Sequence, residues 1–381
     1  MPATLLALLF VLAPLTAIAQ SDSPADCGAP AAAEDGWQVA APDAVGLDPA
    51  TLCGIGPRFR AWTAADIHAV LVIRHGKLVY ERYFAGLDEL VGQPIGAAGS
   101  LEIVNFDAAT KHDLRSITKS VTALILGIEI GKGKIAGVDR PVLPQLPAYA
   151  ELRTPEKDRI TLRHFLTMSQ GLAWNQDPAD SSEDQMDSAP DPVRYVLAQP
   201  VEAPPGMVYN YSSGSANVIA ALLRKATGRT LDTLARADLF EPLGITDVEW
   251  LRFPSGDPEA AWGLRMRPRD LAKIGQLVLD HGVWHDKQVV PADWITAATA
   301  PQIDAPGLNS YGYQFWLGRS LWHEREIGWV AGMGKGGQRL FIVPTLDLVV
   351  VIQAGLYDSP IRFAVPLIIL NQYVLQAMNA Q

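Results

Sequence analysis

Ser116 and Lys119 stand three positions apart in Asp113-Leu114-Arg115-Ser116-Ile117-Thr118-Lys119, at the head of a stretch with helical periodicity. One turn of helix sets residues i and i+3 on one face, which places the serine hydroxyl and the lysine amine within reach of a shared proton. A serine hydroxyl attacks a carbonyl only when a neighbouring base takes its proton, and a lysine is such a base only while neutral. Burial and the positive end of a helix dipole both disfavour the ammonium, so this position suits the chemistry. The Ser116 amide, at the helix start and without an intrahelical acceptor, is a candidate donor to an oxyanion. Read alone, the S-x-x-K pattern also describes an N-capping serine with an exposed lysine, and its surroundings must decide.

Other site chemistries fail on inspection. There is no G-x-S-x-G elbow, no Walker loop and no H-E-x-x-H among the seven histidines. Gly332, Gly334 and Gly337 spell G-x-G-x-x-G, but the run leads into a strand-like segment rather than opening a helix, so no dinucleotide site is expected. His281 and His285 straddle Gly282 in what reads as a turn, and no metal and no cofactor is expected. The 31 Lys and Arg against 41 Asp and Glu, a net charge of −10 over 381 residues, provide no basic face for a nucleic acid.

The elements that must position Ser116 and Lys119 follow from patterning. Ala69 to Ile73 and Leu78 to Phe84 are β-rich runs about a His75-Gly76 turn, a hairpin signal. Gln338 to Val343 and Leu346 to Val351 answer them near the other end, and a last helix is expected over Pro360 to Met378. Between lie helical stretches: Ser116 to Ile130, with Val121, Leu124, Ile125 and Ile128 on one face, then Leu162 to Met168, Ser215 to Thr227, Leu231 to Leu239, Pro268 to Leu279 and Ala292 to Ala298. The expected class is α+β, with an antiparallel sheet built from both chain termini, flanked by helices, and a mostly helical lobe inserted over about residues 120–305. The catalytic domain is expected over 59–381, with the substrate in a cleft between the lobes.

The first 19 residues carry an apolar run from Leu5 to Leu15 and then Ala17-Ile18-Ala19, which reads as a signal peptide and predicts export to the periplasm or beyond. The run is short for a membrane span, and no later segment supplies one. Residues 20–58 read as an Ala- and Pro-rich extension over the surface, containing both cysteines, Cys27 and Cys53. An oxidising compartment permits them to pair, and sequence alone does not establish that they do.

A series of landmarks in order settles the reading of S-x-x-K. They are Ser116-Ile117-Thr118-Lys119-Ser120; Ile160-Thr161-Leu162-Arg163-His164-Phe165-Leu166-Thr167-Met168-Ser169-Gln170-Gly171-Leu172; Pro205-Gly206 with Tyr211-Ser212-Ser213; Gly263-Leu264-Arg265-Met266-Arg267-Pro268-Arg269-Asp270-Leu271-Ala272; and Gly334-Lys335-Gly336-Gly337-Gln338. This set, from about Ala69 onwards, resembles the superfamily of class C β-lactamases, esterases and D-Ala-D-Ala carboxypeptidases, and within it the 6-aminohexanoate-dimer hydrolases. The resemblance implies an acyl-enzyme on Ser116, with Lys119 and the phenol of Tyr211 shuttling protons, while Tyr209 packs. Ser213 stands where a β-lactamase normally has Asn, and a hydroxyl cannot give the bidentate amide contact that grips an acylamino side chain.

By letters, Lys335-Gly336-Gly337 matches the family's third element. Counting back from Pro344, Gly332-Met333-Gly334 does, which is the favoured register and leaves Lys335 to supply a backbone N–H as second oxyanion donor. Gly334, Ser213, Gln338 and Trp174, the last lining the cleft, complete the expected substrate contacts. The expected substrate is a small ester or linear amide. The alternatives are a β-lactamase or D-Ala-D-Ala carboxypeptidase, and a sensor or binding protein of the same fold that forms a stable adduct without turnover.

Overall fold

The computed structural model describes residues 27–176 and 178–378, so the signal-peptide expectation for residues 1–19 lies outside the described residues. In chain order the main-sheet strands are β1 (Gln38–Val39), β2 (Ile67–Arg74), β3 (Lys77–Tyr83), β4 (Ile303–Ala305), β5 (Asn309–Tyr311), β6 (Trp316–Trp322), β7 (Arg325–Gly334), β8 (Gln338–Val343) and β9 (Leu348–Ala354). They form one nine-stranded sheet in the order β1-β3-β2-β9-β8-β7-β6-β5-β4. The hairpin of β2 and β3 turns at His75 and Gly76, both at positive φ (51° and 68°), and β9 zips antiparallel onto β2 from Leu348 opposite Arg74 onwards. The sheet is therefore assembled from both ends of the chain, as patterning predicts, and all its pairs are antiparallel except the short edge pair of β1 with β3.

The central strands bury both faces, which is why they read as near-continuous apolar runs rather than alternating ones. Ala69, Leu71, Ile73, Leu340, Ile342, Val349 and Val351 enter the core shared with the helices of the inserted lobe. Val70, Val72, Phe341, Val343, Val350 and Ile352 enter a second core with the N-terminal segment and the C-terminal helices. The lobe contributes α1 (Ile117–Gly131), α2 (Gly214–Thr227) and α3 (Pro268–Leu279), the last bounded as its sequence pattern predicts.

Several elements depart from expectation. The N-terminal extension is a structural part of the domain: Leu47, Leu52 and Ile55 are fully buried, and Trp37 Nε1 donates to the Arg269 carbonyl at 3.1 Å. Cys27 and Cys53 are joined as a disulfide that tethers this extension, the pairing the sequence permits, with Cα atoms 5.9 Å apart. The final helix is broken into Pro360–Arg362, Ala364–Ile368 and a π-helical turn over Ile369–Val374, with Pro366 lacking the amide that a continuous helix needs. Leu231 to Leu239 is helical only to Ala235 before widening into a π turn, and β9 starts at Leu348 because Pro344–Leu346 is a single 3₁₀ turn.

Candidate active site

Strand His112–Asp113 pairs with Leu264–Met266 and delivers the chain to Arg115, whose φ of +48° is rare for a residue with a side chain. Such a conformation costs on the order of 1–2 kcal/mol and is held here by surrounding contacts. The Arg115 guanidinium lies over the Tyr357 ring (4.7 Å to its centroid), donates to the Glu89 carbonyl at 3.1 Å and meets the Asp113 carboxylate at 3.3 Å. The sharp turn ends in Ser116, the N-cap of α1, whose own side chain caps nothing and is partly open to solvent. The N-cap reading with an exposed lysine is thereby overturned, since Lys119 is completely buried.

Lys119 Nζ makes three hydrogen bonds: to Ser116 Oγ at 3.0 Å, to Ser213 Oγ at 3.1 Å and to the Ala261 carbonyl at 3.1 Å. Three acceptors match the three protons of an ammonium. Ser213, buried at the N-cap of α2, donates its own proton to the Glu183 carboxylate. A chain of polar contacts therefore runs from Ser116 through Lys119 and Ser213 to Glu183. Tyr211 completes the group: Lys119 Nζ lies over its ring, 5.0 Å from the centroid. That ring stacks on Trp316 (5.9 Å, 28°) and meets Tyr311 edge-on (6.4 Å). Tyr209 packs on Tyr311 and Trp316, as expected of a packing residue.

Behind Lys119 lies a buried acidic group. Glu259 accepts from Asn217 Nδ2 and the Ala261 amide, both at 2.9 Å, and from the Trp262 amide, which fixes the turn carrying the Ala261 carbonyl. Burial pushes the Glu259 carboxyl up, to about 7, with Lys119 opposing. Burial and the neighbouring Glu259 and Glu183 carboxylates push Asp187 up to about 9.

A Cβ on Gly332 would come 2.9 Å from Ile117 Cγ2, and one on Gly334 2.5 Å from the Leu114 carbonyl, so both glycines face the chain around Ser116 and allow β7 to lie against it. Gly332-Met333-Gly334 therefore occupies the strand beside Ser116, and Lys335 follows at the hairpin end. The Lys335 ammonium is exposed and turns to Asp358 Oδ1 at 3.4 Å. Gln338 does not face substrate: it is fully buried, donating to the Ala354 carbonyl at 2.6 Å and accepting from the Ala354 amide at 3.1 Å, which clamps β8 to β9. Trp174 does not line the cleft either, since it is buried in the helical lobe against Tyr195 and Val196, with only 7% of its surface exposed. A cavity of about 530 Å³ opens elsewhere in that lobe, between Tyr149, Val193, Arg224 and Phe253, and includes none of Ser116, Lys119 and Tyr211.

Glu183, Glu259, Asp187, Tyr311 and Trp316 escaped the sequence reading. Glu183 sits in a polar Asp- and Ser-rich stretch without a motif, and the two aromatics lie in strands that Gly, Ser and Arg residues disguise.

A family model described as Beta-lactamase matches residues 59–358. The chain is 25% identical over 313 residues to the 6-aminohexanoate-dimer hydrolase of Paenarthrobacter ureafaciens, covering 74% of this chain and 71% of that one. It is 27% identical over 201 residues to esterase EstB of Burkholderia gladioli, covering 50% of this chain and 47% of the esterase, about half its length. The solved structure of the octameric penicillin-binding protein homologue from Pyrococcus abyssi superposes with a TM-score of 0.62 at 19% identity, over 85% of this chain and 77% of that one, a likeness of fold.

Proposed function

Starting from the fact that the chain belongs to the Beta-lactamase family, we propose that it is an exported serine hydrolase that cleaves small esters or linear amides through an acyl-enzyme on Ser116. The observation that carries the reading is the placement of Lys119 Nζ, completely buried and shared between the hydroxyls of Ser116 and Ser213. Relatives named for ester and for aminohexanoate-dimer hydrolysis support the substrate class. So do Ser213, whose hydroxyl is engaged by Lys119 and Glu183, and Lys335, whose ammonium pairs with Asp358 rather than waiting for a substrate carboxylate. Export agrees with the Cys27–Cys53 disulfide and with the leader-like first residues.

In this mechanism a proton of the Lys119 ammonium passes to Ser213 Oγ as the Ser213 proton passes to Glu183. The products are a neutral Lys119 amine, an unchanged Ser213 and a protonated Glu183. Lys119 then takes the Ser116 proton as Oγ bonds to the carbonyl carbon. The carbonyl oxygen gathers negative charge between the backbone amides of Ser116 and Lys335. Lys119, charged by the Ser116 proton, passes it through the Tyr211 phenol to the leaving alkoxide or amine. Water then attacks the ester on Ser116 as Lys119 takes one of its protons through Tyr211 and hands it to Ser116 Oγ. The acid leaves, and Glu183 returns its stored proton to Lys119 through Ser213.

A fluorophosphonate probe should label the protein and leave Ser116→Ala unlabelled. Turnover of p-nitrophenyl acyl esters or linear aminoacyl amides should exceed that of a chromogenic cephalosporin. Labelling that survives Ser116→Ala overturns the nucleophile, cephalosporin turnover far above the other two overturns the substrate class, and a burst that stops after one equivalent marks a sensor.

A further inference from the structure

Three buried side chains from separate elements converge outside the Ser116 site: His68 on β2, Asp88 on the strand Ala85–Leu90, and His112 on the strand that leads into Ser116. They are 0%, 1% and 0% exposed. One ligand atom from each lies within 4.8 Å of the others, and His68 Nδ1 is 2.8 Å from His112 Nε2. The other nitrogen of each ring faces oxygen: His112 Nδ1 is 2.9 Å from the Asp113 carbonyl, and His68 Nε2 is 3.5 Å from the Asp66 carboxylate.

One of these contacts fixes a tautomer. A carbonyl oxygen only accepts, so His112 Nδ1 carries the proton and its Nε2 presents a lone pair. His68 Nε2 makes no hydrogen bond and faces the Asp66 carboxylate at 3.5 Å, so it can take the ring proton when Nδ1 gives it up. Without an ion, His68 Nδ1 donates to the His112 Nε2 lone pair across 2.8 Å; an ion that displaces that one proton meets a ring nitrogen from each histidine and the Asp88 carboxylate. Orientation of each imidazole by an oxygen on its far nitrogen is how proteins hold histidine ligands to a metal. The carboxylate is oriented too, accepting from the Tyr357 hydroxyl at 2.7 Å and lying 3.9 Å from Arg265, which it shares with Asp113.

The surroundings are closed tightly over these groups. The Phe106 ring stacks on His68 at 4.1 Å. A Cβ on Gly86 would come 2.4 Å from the His68 ring, and one on Gly355 2.2 Å from Asp66 Oδ2, so only glycine admits the backbone at either position.

We propose that His68, Asp88 and His112 form a binding site for one divalent transition-metal ion of the zinc type, with a water completing the coordination. Zinc holds imidazole nitrogen and carboxylate oxygen at about 2.0–2.2 Å, which places tetrahedral ligands roughly 3.3 Å apart, so the two rings need to separate by about half an ångström. An ion here clasps the central sheet, the outer hairpin Ala85–Asn105 and the strand entering Ser116. It is a structural fastener and takes no part in the serine chemistry.

The test uses the full chain, treated with chelator, dialysed against zinc or cobalt(II), and freed of excess metal. Elemental analysis should find about one ion per chain, the melting temperature should rise by several degrees, and cobalt should give an intense visible band of low coordination number. Asp88→Asn and His112→Gln should each retain below about a tenth of an equivalent. Folded wild-type protein that takes up neither metal overturns the proposal and leaves a hydrogen-bonded imidazole pair, and uptake undiminished in both variants overturns it by placing the ion elsewhere. If the variants fail to fold, the presence or absence of the cobalt band in wild-type protein decides. Ester turnover in the same samples reports separately on Ser116.

Discussion

Ser213 Oγ lies 3.1 Å from Lys119 Nζ and donates its own proton to the Glu183 carboxylate, so the buried amine is coupled to an acid it does not touch. In the mechanism above, Glu183 stores the proton that Lys119 must shed. Glu183→Gln keeps the shape but removes the store. It should lower kcat by roughly 10²-fold, the low end of general acid–base effects, with KM little changed and partial recovery at alkaline pH, where solvent takes the proton instead. A pH profile of kcat for variant and wild type checks this, and a variant with an unaltered profile removes Glu183 from the path.

Lys119 is the base only if it can lose a proton. Lys119→Arg retains charge and hydrogen-bonding capacity but cannot deprotonate, whereas Lys119→Ala loses both. Both variants should fall by about 10³-fold or more in kcat/KM, and both should react slowly with a fluorophosphonate. If Lys119→Arg works far better than Lys119→Ala, the ammonium acts as a fixed charge and the base lies elsewhere.

Tyr211 contributes a ring, held between Lys119 and Trp316, and a hydroxyl, and the two are separable. Tyr211→Phe preserves the stack and the cation over it while deleting the phenolic proton. It should cost about 10²-fold in kcat with the melting temperature unchanged. Tyr211→Leu should lose stability as well, because the aromatic contacts go with the ring. Steady-state kinetics and thermal melts of the two variants separate the roles.

The residues legible from sequence are those whose local pattern has a local cause. Lys119 could be placed beside Ser116 because helical spacing alone dictates it, and the hairpin of β2 and β3 could be read because His75-Gly76 is a turn signal between apolar runs. Glu183 and Glu259 could not, since each reaches Lys119 through a fold that brings together positions 64 and 140 residues away from it. Trp174 and Gln338 illustrate the converse error. A landmark's position in the chain is preserved by the fold, but whether its side chain faces the cleft or the core depends on neighbours such as Tyr195 and Ala354 that no motif names. Strands β4 to β6 were hidden because their half-exposed faces carry Gly, Ser and Arg, so the alternation that marks a strand is diluted.

The acidic group behind Lys119 makes stability depend on pH in a direction opposite to that of ion-paired carboxylates. Asp187 and Glu259 hold protons in the folded state up to about 9 and about 7, and both release them near 4 when unfolded. The folded chain therefore binds more protons than the unfolded one across that window, and stability falls as pH rises through it. Asp187→Asn should melt close to wild type at pH 5 and several degrees above it at pH 9. Thermal melts at both values check this, and a gap that shrinks with rising pH contradicts the assignment.

Gly334 sits where β7 passes the turn into Ser116, and its lack of a side chain is what allows the approach. A Cβ there would lie 2.5 Å from the Leu114 carbonyl, 3.0 Å from Arg115 Cβ and 3.0 Å from Gln338 Cβ. The first of these is backbone, so the strand end or the turn into Ser116 has to move. Either movement separates the Lys335 amide from the Ser116 amide, the two donors assigned to the oxyanion. Gly334→Ala should therefore destabilise the fold by about 1–3 kcal/mol and lower kcat more than KM, because the donors matter most as charge develops on oxygen. Gly328 in the same strand is the control: a Cβ there meets nothing nearer than the Gly318 carbonyl at 4.0 Å, so Gly328→Ala should leave both quantities near wild type. Equal losses in the two variants would show that β7 tolerates no added bulk anywhere, and would remove the special role given to its last residues.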